Sequence, residues 1–179
     1  MVQIEYHRFS PADVDDLVAF LTGEEWPFHA GVQEAAAIRR RAAEGFYDDA
    51  DNRTFWVVAD GERGGLIRLY DLGDDTPMFD LRVRRAWRGR GLGTAALAWL
   101  TAHLFTEFPD VTRVEGTTRA DNRAMRAVFR SNGYAKEAHY RESWPAPDGT
   151  RHDAVGYAIL RHDWASGTIT LPDWHDEPR

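Results

Sequence analysis

The chain of 179 residues contains no cysteine, and only Lys136 is a lysine among its 22 basic residues. The absence of cysteine excludes disulfides, a thiol nucleophile, a thioester-linked enzyme intermediate and thiolate metal sites. No apolar run approaches the roughly 20 residues of a membrane span, and no signal peptide is visible at the start. The formal net charge of −7 argues against a general nucleic-acid binder. We therefore expect a cytoplasmic protein without a membrane or nucleic-acid partner.

The composition itself is that of a globular protein. Hydrophobic residues make up 43% of the chain and aromatic residues 12%, with seven tryptophans, so disorder is not expected. A chain of this length suits one domain. We expect that domain at residues 1–164, followed by a polar C-terminal tail at residues 165–179.

The periodicity of apolar residues predicts a mixed α+β domain with the element order βααβββαβαββ. Alternating or continuous apolar runs predict strands at residues 2–9, 54–59, 65–70, 78–83, 113–118, 135–144 and 152–161. Helical spacing and capping signals predict helices at residues 10–21, 32–46, 94–108 and 122–132.

The strongest local pattern is the loop at residues 84–93, between a predicted strand and a predicted helix. The N–H groups that start a helix, together with its dipole, attract an anion, and Gly91 and Gly93 let the backbone approach a phosphate closely. A Walker A loop would need a Gly-Lys-Ser/Thr ending, and a dinucleotide-binding loop would need a βαβ unit near the N-terminus. The pattern therefore predicts a polyanionic ligand, although an ordinary turn with solvated arginines is the alternative. Five arginines lie in the loop or just before it, within nine positions of an acidic chain: Arg82, Arg84, Arg85, Arg88 and Arg90.

The second half of the chain adds a helix that opens at Asp121-Asn122 and ends at Asn132-Gly133-Tyr134. Combined with Arg88-x-x-Gly91-x-Gly93, this pattern resembles the GNAT superfamily of acyl-CoA N-acyltransferases. Residues 137–141, 149–153 and 157–164 look like the RimJ/RimL branch of that superfamily. The resemblance implies the GNAT fold, a mixed and mostly antiparallel sheet flanked by helices.

The resemblance also implies acetyl-CoA as a co-substrate, with no metal. The coenzyme pyrophosphate would lie at the glycine loop, and the pantetheine arm would pair with the strand edge at residues 81–83. A gap between the strands at 78–83 and 113–118 would admit that arm. The resemblance implies these coenzyme-binding residues: Leu81, Val83, Arg88, Arg90, Gly91, Leu92, Gly93, Thr94, Asn122 and Phe129.

The catalytic positions depart from the family pattern. The tyrosine that often serves as general acid is replaced by Phe129, and the other two positions hold Met125 and Thr117, so none of the three ionises. Asp80 and Glu115 on the two central strands are the leading catalytic candidates that remain. Their alternatives are a plain ion pair of Asp80 with a neighbouring arginine, and a structural role for Glu115. Further candidates are Glu24, Glu25 and His29 in the loop between the first two helices, and His139 or Glu142 near the end of the chain.

An aromatic loop and a histidine near the end of the chain are candidates for the acceptor site. Trp26, Phe28 and His29 lie between the first two predicted helices, and His139 lies on a late strand. The alternative for Trp26 and Phe28 is simple packing over the sheet.

The resemblance thus implies direct transfer of an acetyl group to a primary amine, either of a protein N-terminus, which the likeness to the RimJ/RimL branch favours, or of a small molecule. The alternative is a non-catalytic acyl-CoA-binding or regulatory module of the same fold. The acidic chain favours a cationic acceptor. Aromatic residues in the closing strands lead us to expect a homodimer. The alternative is a monomer whose own tail covers that edge through Leu171 and Trp174.

Overall fold

The computed structural model describes residues 2–29, 34–146 and 148–175. Within these residues the chain forms seven strands and five α-helices, with short 3-10 turns at Pro11–Asp13 and Arg85–Trp87. The strands are β1 (Ile4–Arg8), β2 (Arg53–Ala59), β3 (Glu62–Tyr70), β4 (Met78–Val83), β5 (Arg113–Arg119), β6 (Ala135–Pro145) and β7 (Arg151–Leu160). The helices are α1 (Val14–Thr22), α2 (Ala35–Ala43), α3 (Leu92–Glu107), α4 (Arg123–Ser131) and α5 (Arg161–Ser166).

The predicted element order is confirmed, with one addition and several shifted boundaries. The addition is α5, which spans the point where we expected the tail to begin. Helix α2 ends at Ala43 instead of residue 46, because Gly45 takes a left-handed φ of +84° that a helix does not continue through. The predicted start of α2, at residues 32 and 33, lies outside the described residues.

All seven strands form one mixed sheet in the order β1-β2-β3-β4-β5-β7-β6. Neighbouring strands are antiparallel except β4 and β5, which are parallel. Those two strands are in register at a single pair, Met78 opposite Glu115, and do not pair beyond it. The predicted gap between the two central strands is therefore confirmed.

The two faces of the sheet carry separate cores, because successive side chains of a strand point to opposite faces. On β2, Val57 belongs to the core that includes α3 and α4, while Trp56 belongs to the core that includes α1 and α2. The gap between β4 and β5 consequently opens towards two different helical layers. In the described part of the chain, no helix is both long and apolar enough to cross a membrane.

Candidate active site

The start of α3 has the geometry that an anion needs. Gly91 is the N-cap of this 16-residue helix and takes a left-handed φ of +83°. A Cβ built at Gly91 would meet nothing within 4 Å, so the space in front of the helix start is open. The first N–H groups of a helix have no partner within the helix, and the dipole favours a negative charge there.

The helix start lies at one side of a cavity of about 440 Å3, which we call the loop cavity. Its walls come from β4, the glycine loop, the starts of α3 and α4, and residues 26–29. Seven of the ten predicted coenzyme residues line it: Leu81, Val83, Arg88, Gly91, Gly93, Thr94 and Asn122.

The other three predicted coenzyme residues lie elsewhere. Leu92 is buried in the core beside the sheet. Arg90 is exposed, with its guanidinium carbon 5.3 Å from the centre of the Trp87 ring. Phe129 is buried and stacks on Tyr157 with 4.7 Å between the ring centres.

The five arginines predicted to surround an anion are divided between different surfaces. Only Arg88 lines the loop cavity. Arg82 lies on the opposite face of β4, because side chains alternate along a strand. Arg84 stacks over Phe20 at 4.8 Å. The expectation of one concentrated arginine cluster was therefore wrong.

The edge of β4 presents backbone groups to the gap. The N–H of Arg84 donates to the carbonyl of Gly64 at 2.9 Å. Because hydrogen-bonded and non-hydrogen-bonded pairs alternate along an antiparallel ladder, Arg82 also bonds to β3, whereas Leu81 and Val83 do not. Leu81 and Val83 then direct their N–H and C=O groups away from β3 and into the gap. The Val83 carbonyl accepts a hydrogen bond from Arg88 Nε at 2.9 Å. The N–H groups of Leu81 and Val83 remain as donors for a ligand.

Asn122 fixes the start of α4 at the opposite side of the gap. Its Oδ1 accepts a hydrogen bond from the N–H of Met125 at 3.1 Å, and its Nδ2 donates to Thr118 Oγ1 at 3.0 Å. This side-chain cap explains why the helix begins there.

A second cavity of about 340 Å3, which we call the sheet cavity, lies against the face of the sheet that carries α1 and α2. It shares five lining residues with the loop cavity, so the two cavities adjoin at the gap. The shared residues are Phe28, His29, Leu81, Asn122 and Met125.

His29, Asp80 and Arg82 form a connected group in the sheet cavity. The Nε2 atom of His29 lies 3.0 Å from Asp80 Oδ1 and 3.3 Å from the Leu81 carbonyl. Arg82 donates from Nε and Nη2 to Asp80 Oδ2 at 3.0 and 2.9 Å. Burial raises the pKa of Asp80, but the hydrogen bond from His29 and the charge of Arg82 lower it more, so the net pKa is well below the ordinary value. Asp80 is therefore ionised at neutral pH.

The structure does not bring Glu115 or His139 to either cavity. Glu115 Oε2 accepts a hydrogen bond from Arg113 Nη2 at 2.7 Å, and this ion pair agrees with a structural role for Glu115. His139 is paired with Asp153 at 2.7 Å on the exposed side of β6.

Trp26 and Phe28 both pack and line a cavity, so their two interpretations are compatible. Trp26 stacks on Phe20 with 5.3 Å between ring centres, meets His29 edge-on at 6.0 Å, and faces the loop cavity. Phe28 lies between the two cavities, and the Arg119 guanidinium lies over its ring at 5.0 Å.

Sequence reasoning missed most of the residues that line the sheet cavity. Arg68 was one signal that could have been found, because it shares one face of β3 with Leu66 and Tyr70 and lies opposite Asp80 in the register with β4. The other missed residues could be assigned to this cavity only from the tertiary structure. The missed residues include Arg41, Phe46, Tyr47, Arg68, Tyr70 and Trp144.

Among the described residues, no group of three or more histidine, aspartate or glutamate side chains is arranged to hold a metal ion.

Several solved structures share the fold. The ribosomal-protein alpha-N-acetyltransferase RimL, in complex with coenzyme A, is 17% identical with a TM-score of 0.77, over 88% of this chain and 93% of that chain. A chimera of the spermidine N-acetyltransferase SpeG from Vibrio cholerae and hSSAT is 15% identical with a TM-score of 0.80, over 91% and 98%. A probable acetyltransferase is 23% identical with a TM-score of 0.75, over 90% and 94%. At these identities the likeness establishes the fold alone.

Among curated protein sequences, none matches the chain significantly. The profile of the acetyltransferase (GNAT) domain family matches residues 3–135, which is more than half of the chain. The split central strands, the glycine-started helix and this match agree, and the chain belongs to the GNAT acetyltransferase family.

Proposed function

We propose that this GNAT protein transfers an acetyl group directly from acetyl-CoA to a primary amine. The observation that carries the proposal is the meeting of two cavities at the gap between β4 and β5. The loop cavity suits the coenzyme, the sheet cavity suits the amine, and the His29–Asp80 pair lies where they adjoin. Action in the cytoplasm stays a prediction.

In this proposal the coenzyme lies along the loop cavity. Its pyrophosphate accepts hydrogen bonds from the backbone at Gly91, Gly93 and Thr94, at the open start of α3. Its pantetheine amide carbonyls accept from the N–H groups of Leu81 and Val83, as an added strand would. The thioester then reaches the gap, close to Asn122.

His29 has the environment of a general base. Both neighbours of its Nε2 are acceptors, Asp80 Oδ1 and the Leu81 carbonyl, so we assign the ring proton to Nε2. The lone pair is then on Nδ1, which is buried and has no hydrogen-bond partner among the described residues, so proton transfer to it requires the bound amine to enter beside the ring. Asp80 holds the tautomer and stabilises the imidazolium that forms when Nδ1 takes a proton.

The bonds and protons of the reaction balance with these groups. The neutral amine nitrogen forms a bond to the thioester carbon, and the carbon–sulfur bond breaks. Nδ1 of His29 takes the proton that the attacking nitrogen loses, and the coenzyme thiolate takes up one proton. Phe129 and Met125 supply none, so that proton comes from protonated His29 or from water.

Release of free coenzyme A tests the proposal against its non-catalytic alternative. The full chain is incubated with acetyl-CoA and an amine panel of protein N-terminal peptides, amino acids, polyamines and amino sugars, and free thiol is measured. Amine-dependent thiol release with a matching acetylated product is the expected result. Coenzyme binding without release for any amine would favour the non-catalytic module, which binds but does not transfer.

We also propose that the protein forms a homodimer through the edge strand β6 and the C-terminal segment. Tyr140 on β6 and the segment residues Leu171 and Trp174 are 52%, 72% and 53% exposed, which is unusual for large apolar side chains. Trp174 lies 5.5 Å from the Lys136 ammonium at the start of β6, so the segment adjoins that edge. One solved structure of similar fold is described as a dodecameric spermidine N-acetyltransferase from Vibrio cholerae, which supports assembly as a property of this fold.

Sedimentation equilibrium tests the dimer. We expect a dimer for the full chain and a monomer for a chain ending at Thr170, because the truncation removes Leu171 and Trp174. That truncation keeps Thr170, which donates two hydrogen bonds to Asp163 at the end of the fold. Monomers in both cases would contradict the proposal.

A further inference from the structure

The sheet cavity has a positive lining in an acidic chain. Three guanidinium groups line it, those of Arg41, Arg68 and Arg82, and Asp80 is the one carboxylate among the described lining residues. The net charge of −7 therefore does not describe this site.

Arg82 and Asp80 compensate each other. Their two hydrogen bonds, both from Arg82 to Asp80 Oδ2, form a close ion pair. Asp80 is also bound to His29, so both of its carboxylate oxygens are already in contact with these two neighbours. The positive charges of Arg41 and Arg68 are left without a carboxylate in direct contact.

Arg68 is a half-buried cation with neutral partners. It donates to the Phe46 carbonyl at 2.8 Å and to Asn52 Oδ1 at 2.5 Å. Its guanidinium carbon lies 3.6 Å from the centre of the Phe46 ring and 4.6 Å from that of Tyr70. Burial lowers the pKa of Arg68 from its ordinary value. A guanidinium that is buried without an anion loses hydration free energy, and the attraction of a bound anion would offset that loss.

Arg41 adds a second charge at the same ring. It extends from α2, and its guanidinium carbon lies 5.3 Å from the centre of the Phe46 ring. It forms no ion pair with any other described residue. Both guanidiniums line the sheet cavity, where two like charges repel each other, and an anion bound within reach of both lowers that repulsion.

We propose that the acceptor amine carries a carboxylate, which binds between Arg41 and Arg68. The inference rests on the proposed acetyl transfer and names the class of its substrate: an α-amino acid or a similar amino acid-type amine. The carboxylate at the arginines leaves the amine directed to His29 and Asp80 at the gap. Apolar and aromatic walls, including Tyr47 and Phe129, favour an apolar side chain on this acceptor.

The same charges disfavour a polycation. A spermidine molecule in the sheet cavity would place ammonium groups beside two guanidiniums that have no carboxylate in direct contact, at a cost in Coulomb energy. The acceptor expected from the acidic composition is thus the opposite of the one that the local charges favour.

Matched pairs of acceptors test the inference. Initial rates with acetyl-CoA are measured for L-phenylalanine against L-phenylalaninamide, and for L-leucine against L-leucinamide. Spermidine and a peptide with aspartate at its second position form two further arms. We expect kcat/KM to be at least about tenfold higher for each acid than for its amide, the size of one charge-assisted hydrogen bond. The amine of the amide is less basic, so a larger fraction of it is neutral and able to attack the thioester. This difference alone would favour the amide, so a preference for the acid must come from binding of the carboxylate.

Arg41→Gln tests the assigned site, with Arg40→Gln as its matched control. Both residues are exposed on α2, but Arg40 does not line the cavity. Arg41→Gln should reduce the preference for acid over amide by about tenfold, mainly through KM. Arg40→Gln should leave the preference unchanged.

Binding provides a readout that is independent of turnover. Isothermal titration of each acid and amide into the protein saturated with coenzyme A should show tighter binding of the acid, and Arg41→Gln should remove the difference. If the acids bind preferentially but no acceptor is acetylated, the proposed transfer fails and the carboxylate site stands. If the peptide with aspartate is preferred over the free acids, the carboxylate comes from a peptide side chain. Preference for amides or spermidine overturns the inference.

Discussion

His29→Gln is expected to lower kcat for acetyl transfer by about 100- to 10,000-fold, the range typical of a lost general base. The affinity for acetyl-CoA should remain near its original value, because His29 meets the coenzyme only at the gap. Glutamine keeps a polar group of similar length beside Asp80, so the variant removes the basic nitrogen without leaving a large void. Steady-state kinetics together with isothermal titration of acetyl-CoA separate the two effects.

His7→Gln is the matched control for this variant. His7 is exposed on β1 and paired with Glu5 at 2.9 Å, away from both cavities. Its replacement should leave kcat unchanged. A kcat of His29→Gln equal to that of the unmodified protein would exclude His29 as the base.

Asp80 acts through His29 as a positioning residue, and Asp80→Asn tests that role. We expect kcat to fall by about 10- to 100-fold, in line with the loss of other residues that orient a functional histidine. The double variant with His29→Gln should be no slower than His29→Gln alone, because Asp80 acts only through that ring. A purely structural Asp80 would slow the double variant further.

The fold was predictable because its signals are local. The run from β4 through the glycine loop into α3 can be read from alternation, two glycines and a helical apolar repeat. The gap between β4 and β5 followed from the resemblance to a known family, and the single pair of Met78 with Glu115 confirms it.

The connections within the site were not predictable, because they join segments that are distant in the sequence. His29 and Asp80 were separate candidates, and no local pattern indicates that residues 26–29 fold back over β4. Their contact depends on Trp26, which packs on Phe20 of α1 and donates from Nε1 to the Leu21 carbonyl at 2.9 Å.

The arginines illustrate the same limit in a different way. Arg82 and Arg88 are six positions apart, yet they line different cavities because a strand ends between them. Counting positive charges along the sequence therefore overestimated the charge at the glycine loop. It also gave no indication of Arg41 and Arg68, which lie on α2 and β3 and line one cavity only in the tertiary structure.

Gly91→Val is expected to lower the affinity for acetyl-CoA by about 100- to 10,000-fold, equivalent to the loss of two hydrogen bonds to a charged group. The left-handed φ of +83° is costly for a β-branched residue, and the side chain would occupy the open space in front of α3. Both effects move the helix N–H groups away from the pyrophosphate. Isothermal titration with acetyl-CoA measures the loss, and urea unfolding measures the accompanying change in stability.

Gly61→Val controls for the backbone strain. Gly61 has a φ of +82°, and a Cβ there would also meet nothing within 4 Å. It lies in the tight turn between β2 and β3, where Asp60 and Gly61 both have positive φ, and it lines neither cavity. Because the strain is the same, both variants should lose a similar free energy of unfolding, about 1–2 kcal/mol or somewhat more, while only Gly91→Val loses coenzyme affinity. Undiminished binding by Gly91→Val would mean that the phosphates lie elsewhere, and an equal loss in Gly61→Val would mean that the effect acts through folding.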